Sequence, residues 1–211
     1  MKFFRKISWY GLLMILFGAM MTVQTFPDLL TSFKTPKDFD EVLDSGAAAG
    51  DRVEGQVPFL LDYFATEESW TENQDGSRTP KKTSNYYYVL PAGDDFIGLT
   101  VSPGNASDAN KLVDQTYDFL DGGAEPDVTL EVTGRVCEME ADLVSMFEEE
   151  LRDYYGYSDH DLSALKPYLL IENRSFTAVR VLCGGGVLLA LAGVFVTVRR
   201  WKKYSIPETS L

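Results

Sequence analysis

Two long uncharged runs, one near each end of the chain, restrict what this sequence can fold into more than anything between them. From Ile7 to Phe26 there are twenty residues without a charge. As a helix rising about 1.5 Å per residue they reach about 30 Å, the thickness of a bilayer's hydrocarbon core. The residues after Leu13 offer neither a small-x-small cleavage site nor a lipobox cysteine, so the run reads as an uncleaved signal anchor. The second run, Val181 to Val198, holds ten strongly apolar residues among eighteen, worth roughly −3 to −6 kcal/mol of insertion free energy. Phe176 to Val179 extend it, with Arg180 reaching toward the outer interface.

Lys2, Arg5 and Lys6 precede the first run, and Arg199, Arg200, Lys202 and Lys203 follow the second. The positive-inside rule then places both termini in the cytoplasm and the middle outside. The expected division is a cytoplasmic start (1–6), a first span (7–26), an outer domain (27–175), a second span (176–198) and a basic tail (199–211). Trp9, Tyr10, Trp201 and Tyr204 sit where interfacial aromatic rings belong. Between Pro27 and Ser175 fall 31 of the 32 acidic residues but only 11 of the 19 basic ones. So acidic a face repels nucleic acid, and the lipid bilayer is the expected partner instead. Charged residues at 24% and hydrophobic ones at 45% exclude a disordered polyelectrolyte and a polytopic transporter. The outer segment is long enough for its own core. It must form one without a staple, because Cys137 lies in the domain and Cys183 in the second span.

Within the middle, Thr35-Pro36 followed by Lys37 to Leu43 and Gly46 predicts a short capped helix. Alternation from Val53 to Tyr63 predicts one half-buried strand, with Gly55 and Pro58 marking an edge or a bend. Ala65 to Ser84 reads as a long polar loop, and Tyr86 to Leu90 with Phe96 to Val101 as a hairpin about Pro91 to Asp94. A helix capped by Ser107 and stopped by Gly122-Gly123 follows, then a strand from Val128 to Cys137 with Gly134 as a bulge or corner. Leu143 to Tyr154 predicts a second amphipathic helix, and Tyr168 to Ile171 a last strand. This α+β order resembles an OB-like small barrel over Arg52 to Asn173, and it fits a plain α+β sheet with helices on one face almost as well.

The GDRVEGQV run (Gly50 to Val57), the NYYYVLP run (Asn85 to Pro91) and the TGRV run (Thr133 to Val136) resemble those of uncharacterised two-pass membrane proteins of Gram-positive bacteria. That resemblance implies an envelope location with an extracytoplasmic domain. It carries no catalytic residue across.

The chemistry is read mostly by exclusion. No nucleophile elbow, Ser-x-x-Lys, phosphate loop or Cys-x-x-Cys is present, which points away from an enzyme. His160, between Asp159 and Asp161, is better explained by a helix start with Asp159 as cap than by a metal site. In ENQDGSR (Glu72 to Arg78) the calcium-loop register fails at Thr71 and Lys82, leaving a turn at Asp75-Gly76. No cofactor is expected beyond loose binding of extracellular calcium by the acidic surface. Tyr86, Tyr87 and Tyr88, with Arg78, Lys81 and Lys82 of the preceding loop, form the candidate ligand surface. Gly11, Gly18 and Thr22 in the first span, and Gly186, Ala190, Gly193 and Thr197 in the second, form small faces that let helices approach closely. Those faces suit packing of the two spans together, or against another membrane protein or a second copy. The expected function is a membrane-anchored binding, sensing or scaffolding subunit of an envelope complex. An envelope hydrolase using a carboxylate pair and a passive spacer are the alternatives.

Overall fold

In the computed structural model, which describes residues 8–205, each apolar run is one helix. Lys2, Arg5, Lys6 and Ile7 lie outside the described residues, as do the side chain of Tyr204 and residues 206–211. Helix α1 (Trp9–Thr31) starts at the Ser8 cap, whose Oγ accepts from the Gly11 amide at 3.3 Å. It runs five residues beyond the expected end at Phe26. Pro27 lies inside it, and beyond it the Thr31 and Ser32 hydroxyls bond back to the carbonyls of Pro27 and Leu29 at 3.2 and 2.7 Å. The last helix, α6 (Phe176–Ser205), passes Val198 and continues through the basic quartet. Lysine and arginine favour helix and oppose the negative end of its dipole. Both helices are long and apolar enough to cross a membrane and together form one unit of the chain.

Residues 34–174 form the other unit. Its elements are α2 (Phe39–Ser45), β1 (Arg52–Gln56), β2 (Tyr63–Ser69), β3 (Lys82–Ala92), β4 (Asp95–Val101), α3 (Ala106–Leu120), β5 (Glu131–Glu138), α4 (Ala141–Tyr155), α5 (Asp159–Ala164) and β6 (Leu169–Asn173). The cap of α2 is Asp38, not Thr35: its carboxylate accepts from the Glu41 amide at 2.8 Å. The backbone of Lys37 is engaged instead in a parallel bridge to Val53. Asn105, not Ser107, precedes α3, while Gly46 and Gly156 end α2 and α4 with positive φ.

The strands make one mixed sheet in the order β1-β5-β6-β4-β3-β2, antiparallel throughout except for the β4–β6 pair. The single strand expected from Val53 to Tyr63 is two, broken between Val57 and Asp62, and its halves stand at opposite ends of that order. The break still bonds on both sides: the Val57 amide donates to the Leu130 carbonyl, and the Leu61 amide to that of Val89, both at 2.9 Å. Gly134 is no bulge, since its register with Val53 and Asn173 is unbroken. It is a close approach, where a Cβ would lie 2.6 Å from the Glu172 carbonyl oxygen. The shifts in register fall in β2 opposite β3.

Helices cover both faces of the sheet, not one. On one side Val42 of α2 and Leu112 of α3 pack with Val53, Leu90, Leu99 and Ile171. On the other, Phe147 and Leu151 of α4 and Leu162 of α5 pack with Val89 and Leu170. Alternation along each strand divides the two cores: Tyr88 and Leu90 face the first and Val89 the second.

Candidate functional site

The stretch expected to be a polar loop is a two-stranded arm. The pairing of β2 with β3 runs out to Ser69 and Lys82, and a bridge between Glu72 and Arg78 carries it further. The tip is a tight turn: the Asp75 carboxylate accepts from the Ser77 amide at 3.0 Å and from its hydroxyl at 2.6 Å, with Gly76 at φ +80°. Those bonds hold the Asp75 carboxyl below the usual range. On the arm Trp70 is 47% exposed. The Arg78 guanidinium and the Lys81 ammonium each sit 5.7 Å from its ring, while Arg78 pairs with Glu72 at 3.4 Å and Lys81 with Glu68 at 2.7 Å. Lys82 opposite Ser69 is also exposed. An exposed indole beside two cations presents aromatic surface and hydrogen-bond donors to solvent together.

The three tyrosines at the root of the arm do not share one surface. Tyr88 is buried and donates to Asn110 Oδ1 at 2.7 Å; burial pushes its phenol up to about 12. It is part of the core and offers no ligand contact, a correction that follows from β3 being covered on both faces. Tyr86 points the same way, half-buried, its ring 6.1 Å from that of Tyr63. Tyr87 faces the opposite side and donates to Glu67 Oε2 at 3.3 Å. Burial first, then the Glu67 carboxylate, raise its phenol to about 12. Trp70 was the residue missed by sequence reading, and its signal was a large aromatic inside a stretch otherwise polar.

Tyr87 lines a polar cleft of about 270 Å³ with Glu67, Asn85, Thr100, Glu138, Glu140 and Glu172, among others. Arg174 at its rim pairs with Glu172 at 2.8 Å. A second cleft, about 360 Å³ and apolar, lies between the C-terminal parts of α3 and α4 and is walled by Phe59, Leu61, Phe96, Phe119 and Leu120. At its edge Tyr117 donates to Asp62 at 2.8 Å and lies 3.3 Å from the Tyr155 hydroxyl. The Glu150 carboxyl is raised, by burial first and then by the Asp62 charge.

In the helix pair, all seven small-face residues meet one another. A Cβ on Gly11 would lie 2.3 Å from Thr197 Oγ1 and 2.8 Å from the Gly193 carbonyl oxygen. One on Gly18 would lie 2.5 Å from the Gly186 carbonyl oxygen and 2.7 Å from the Ala190 amide nitrogen, and one on Gly186 would lie 2.7 Å from Thr22 Oγ1. The helices are therefore antiparallel and in backbone contact. The small faces of the two helices are occupied by each other. Arg180 of α6 closes the end of α1, bonding the Ser32 hydroxyl at 3.1 Å and its carbonyl, with its guanidinium 5.3 Å from the Phe33 ring.

In YSDHDLS the cap is Ser158, one residue before the expected Asp159, with Asp161 completing a capping box. His160 is exposed. No cluster of three metal-ligating side chains occurs among the described residues. Both cysteines are free, and burial pushes the Cys137 thiol up to about 11.

A family model described as a domain of unknown function (DUF8577) matches residues 1–199. The chain belongs to that family, and the match takes in α1, the whole sheet unit and nearly all of α6. No curated protein and no solved structure matches it.

Proposed function

We propose that this DUF8577 chain is a two-pass membrane protein that holds an OB-like domain outside the cytoplasm and acts as a binding or scaffolding subunit of an envelope complex. The observation that carries the binding role is the β2–β3 arm, an extended ribbon on which the Arg78 and Lys81 cations each lie 5.7 Å from the exposed Trp70 ring. In an OB barrel the first long strand bends and pairs at both ends, and the loop after it is a usual contact element. The run from Arg52 to Ser69 supports that reading, since it bonds β5 at one end and β3 at the other with a break between. So do the parallel β4–β6 pair and α3 between β4 and β5. Membrane crossing is supported by the apolar helices, and orientation by Arg199, Arg200, Lys202 and Lys203 with the basic N-terminal residues.

The test joins topology to contact. In a Cys137→Ala, Cys183→Ala background, Ser77→Cys should react with a membrane-impermeant maleimide on intact cells, and a photo-crosslinking residue in place of Trp70 should give one discrete adduct that the same residue at Asp118 does not. Labelling only after permeabilisation refutes the orientation. Identical crosslinking patterns from the two positions refute the role of the arm.

A further inference from the structure

The basic end of α6 carries shape as well as charge. Phe195, Val196, Arg199, Arg200 and Lys203 wall an open groove of about 500 Å³. Phe195, Arg199 and Lys203 follow one another at single-turn spacing, as do Val196 and Arg200, so the five make two adjacent rows on one flank of the helix. Gly186, Gly193 and Thr197, which meet Gly18 and Gly11 of α1, lie on another flank. The groove is accordingly uncovered, with Phe195 65% and Val196 38% exposed. One of its walls is hydrocarbon and the other is three cations. Helix α6 holds no acidic residue that could neutralise them.

We propose that this groove binds one phospholipid with a net-anionic headgroup. The inference rests on α6 crossing a membrane, and it adds what the basic end of that helix holds there. Apolar side chains followed along the axis by cations repeat the order of acyl chain and phosphate in a lipid. The acyl chain lies against Phe195 and Val196, and the phosphate is held by the guanidinium forks of Arg199 and Arg200 and the ammonium of Lys203. Charge selects among lipids, since a choline headgroup would bring its own cation beside these three, whereas a glycerol headgroup brings only hydroxyls. Free phosphate supplies the charge but leaves the two apolar side chains uncovered, so the acyl chain is part of the ligand.

The experiment is native mass spectrometry of the full-length protein released from detergent micelles, with dioleoyl phosphatidylglycerol or dioleoyl phosphatidylcholine added. The two lipids share their chains and differ in headgroup. The first phosphatidylglycerol should bind about tenfold more tightly than the first phosphatidylcholine. Lys203→Gln should reduce that ratio about fivefold, and Arg199→Gln with Lys203→Gln should remove the preference. Lys202→Gln takes away the same charge from a residue outside the groove, and it should leave the ratio unchanged. Excess inorganic phosphate should not displace the lipid. Equal binding of the two lipids, equal losses from Lys202→Gln and Lys203→Gln, or displacement by phosphate overturns the proposal and leaves the membrane crossing standing. Retention of neither lipid would count against both.

Discussion

Replacing Gly18 by alanine, beside Gly184 by alanine, separates close backbone packing from every other effect of a methyl group on a membrane helix. At Gly18 the new Cβ would sit 2.5 Å from the Gly186 carbonyl oxygen, 2.7 Å from the Ala190 amide nitrogen and 3.1 Å from the Ala190 Cα. All three are backbone atoms and cannot rotate away. Restoring a 3.4 Å contact requires α1 and α6 to part by about 0.9 Å, which unpacks the Gly11 and Gly193 contacts along the same face. Overpacking of this kind costs about 1–3 kcal/mol, or about 5- to 150-fold in the equilibrium between paired and separated helices. At Gly184 the Cβ meets nothing within 4 Å, so the change is neutral or stabilises by up to about 1 kcal/mol through helix propensity. The assay is energy transfer between fluorescent proteins fused to the two termini of the full chain, followed as SDS is titrated into mixed micelles. The transfer midpoint should fall for Gly18→Ala and hold or rise for Gly184→Ala, with far-UV circular dichroism unchanged in both. Equal midpoints for the two variants would refute the helix contact, since helix propensity alone treats them alike.

Three further outcomes follow from the sheet unit. In a Cys183→Ala background, the reaction of Cys137 with a maleimide should accelerate with pH up to about 11 and not level near 9, because burial holds the thiol protonated. Tyr87 and Tyr88 should appear in an alkaline absorbance titration as a late group near 12. Their folded values lie above the ordinary 10.0, so the stability they contribute is full below pH 10 and is lost as pH rises through about 12; Tyr87→Phe with Tyr88→Phe should flatten the fall in denaturation midpoint over that window. Glu150 is also raised from its ordinary 4.5, so its favourable contribution is full below that pH and is lost as the carboxyl ionises above it. Glu150→Gln should therefore raise the melting temperature at pH 7 and leave it unchanged at pH 3; no gain at pH 7 would mean that the Asp62 charge is screened at that site.

Much of the local structure was legible because it is local. Gly46, Gly122 and Gly156 stop helices where a left-handed residue is needed, and the Leu112, Val113 and Thr116 stripe of α3 has a period that only a helix provides. The caps were misplaced by a residue or more at Asp38 and Ser158, where two polar candidates stand close together and only the bond to the third amide decides. The arm looks like a loop in the sequence because, Trp70 apart, Thr66 to Lys82 is polar and exposed, and a ribbon exposed on both sides has no alternation to display. The small faces of the two long helices were visible as spacings, but whether they met each other was a matter of register between residues some 170 positions apart, such as Gly18 and Gly186.

The position of β6 sets the order in which the chain can be built. It is the last strand to be synthesised, yet it lies between β5 and β4, and its hydrogen bonds join the two halves of the sheet. Only Arg174 and Ser175 separate it from α6. Until Leu169 to Asn173 are in place, β4 and β5 each keep an open edge, the kind of edge with which another strand can pair. When they do emerge, the apolar helix follows at once. In a chain that inserts through α6, sealing of the sheet and release into the bilayer thus fall in the same interval of translation, and a pause placed shortly after Asn173 would lengthen the time during which the unfinished domain is at risk.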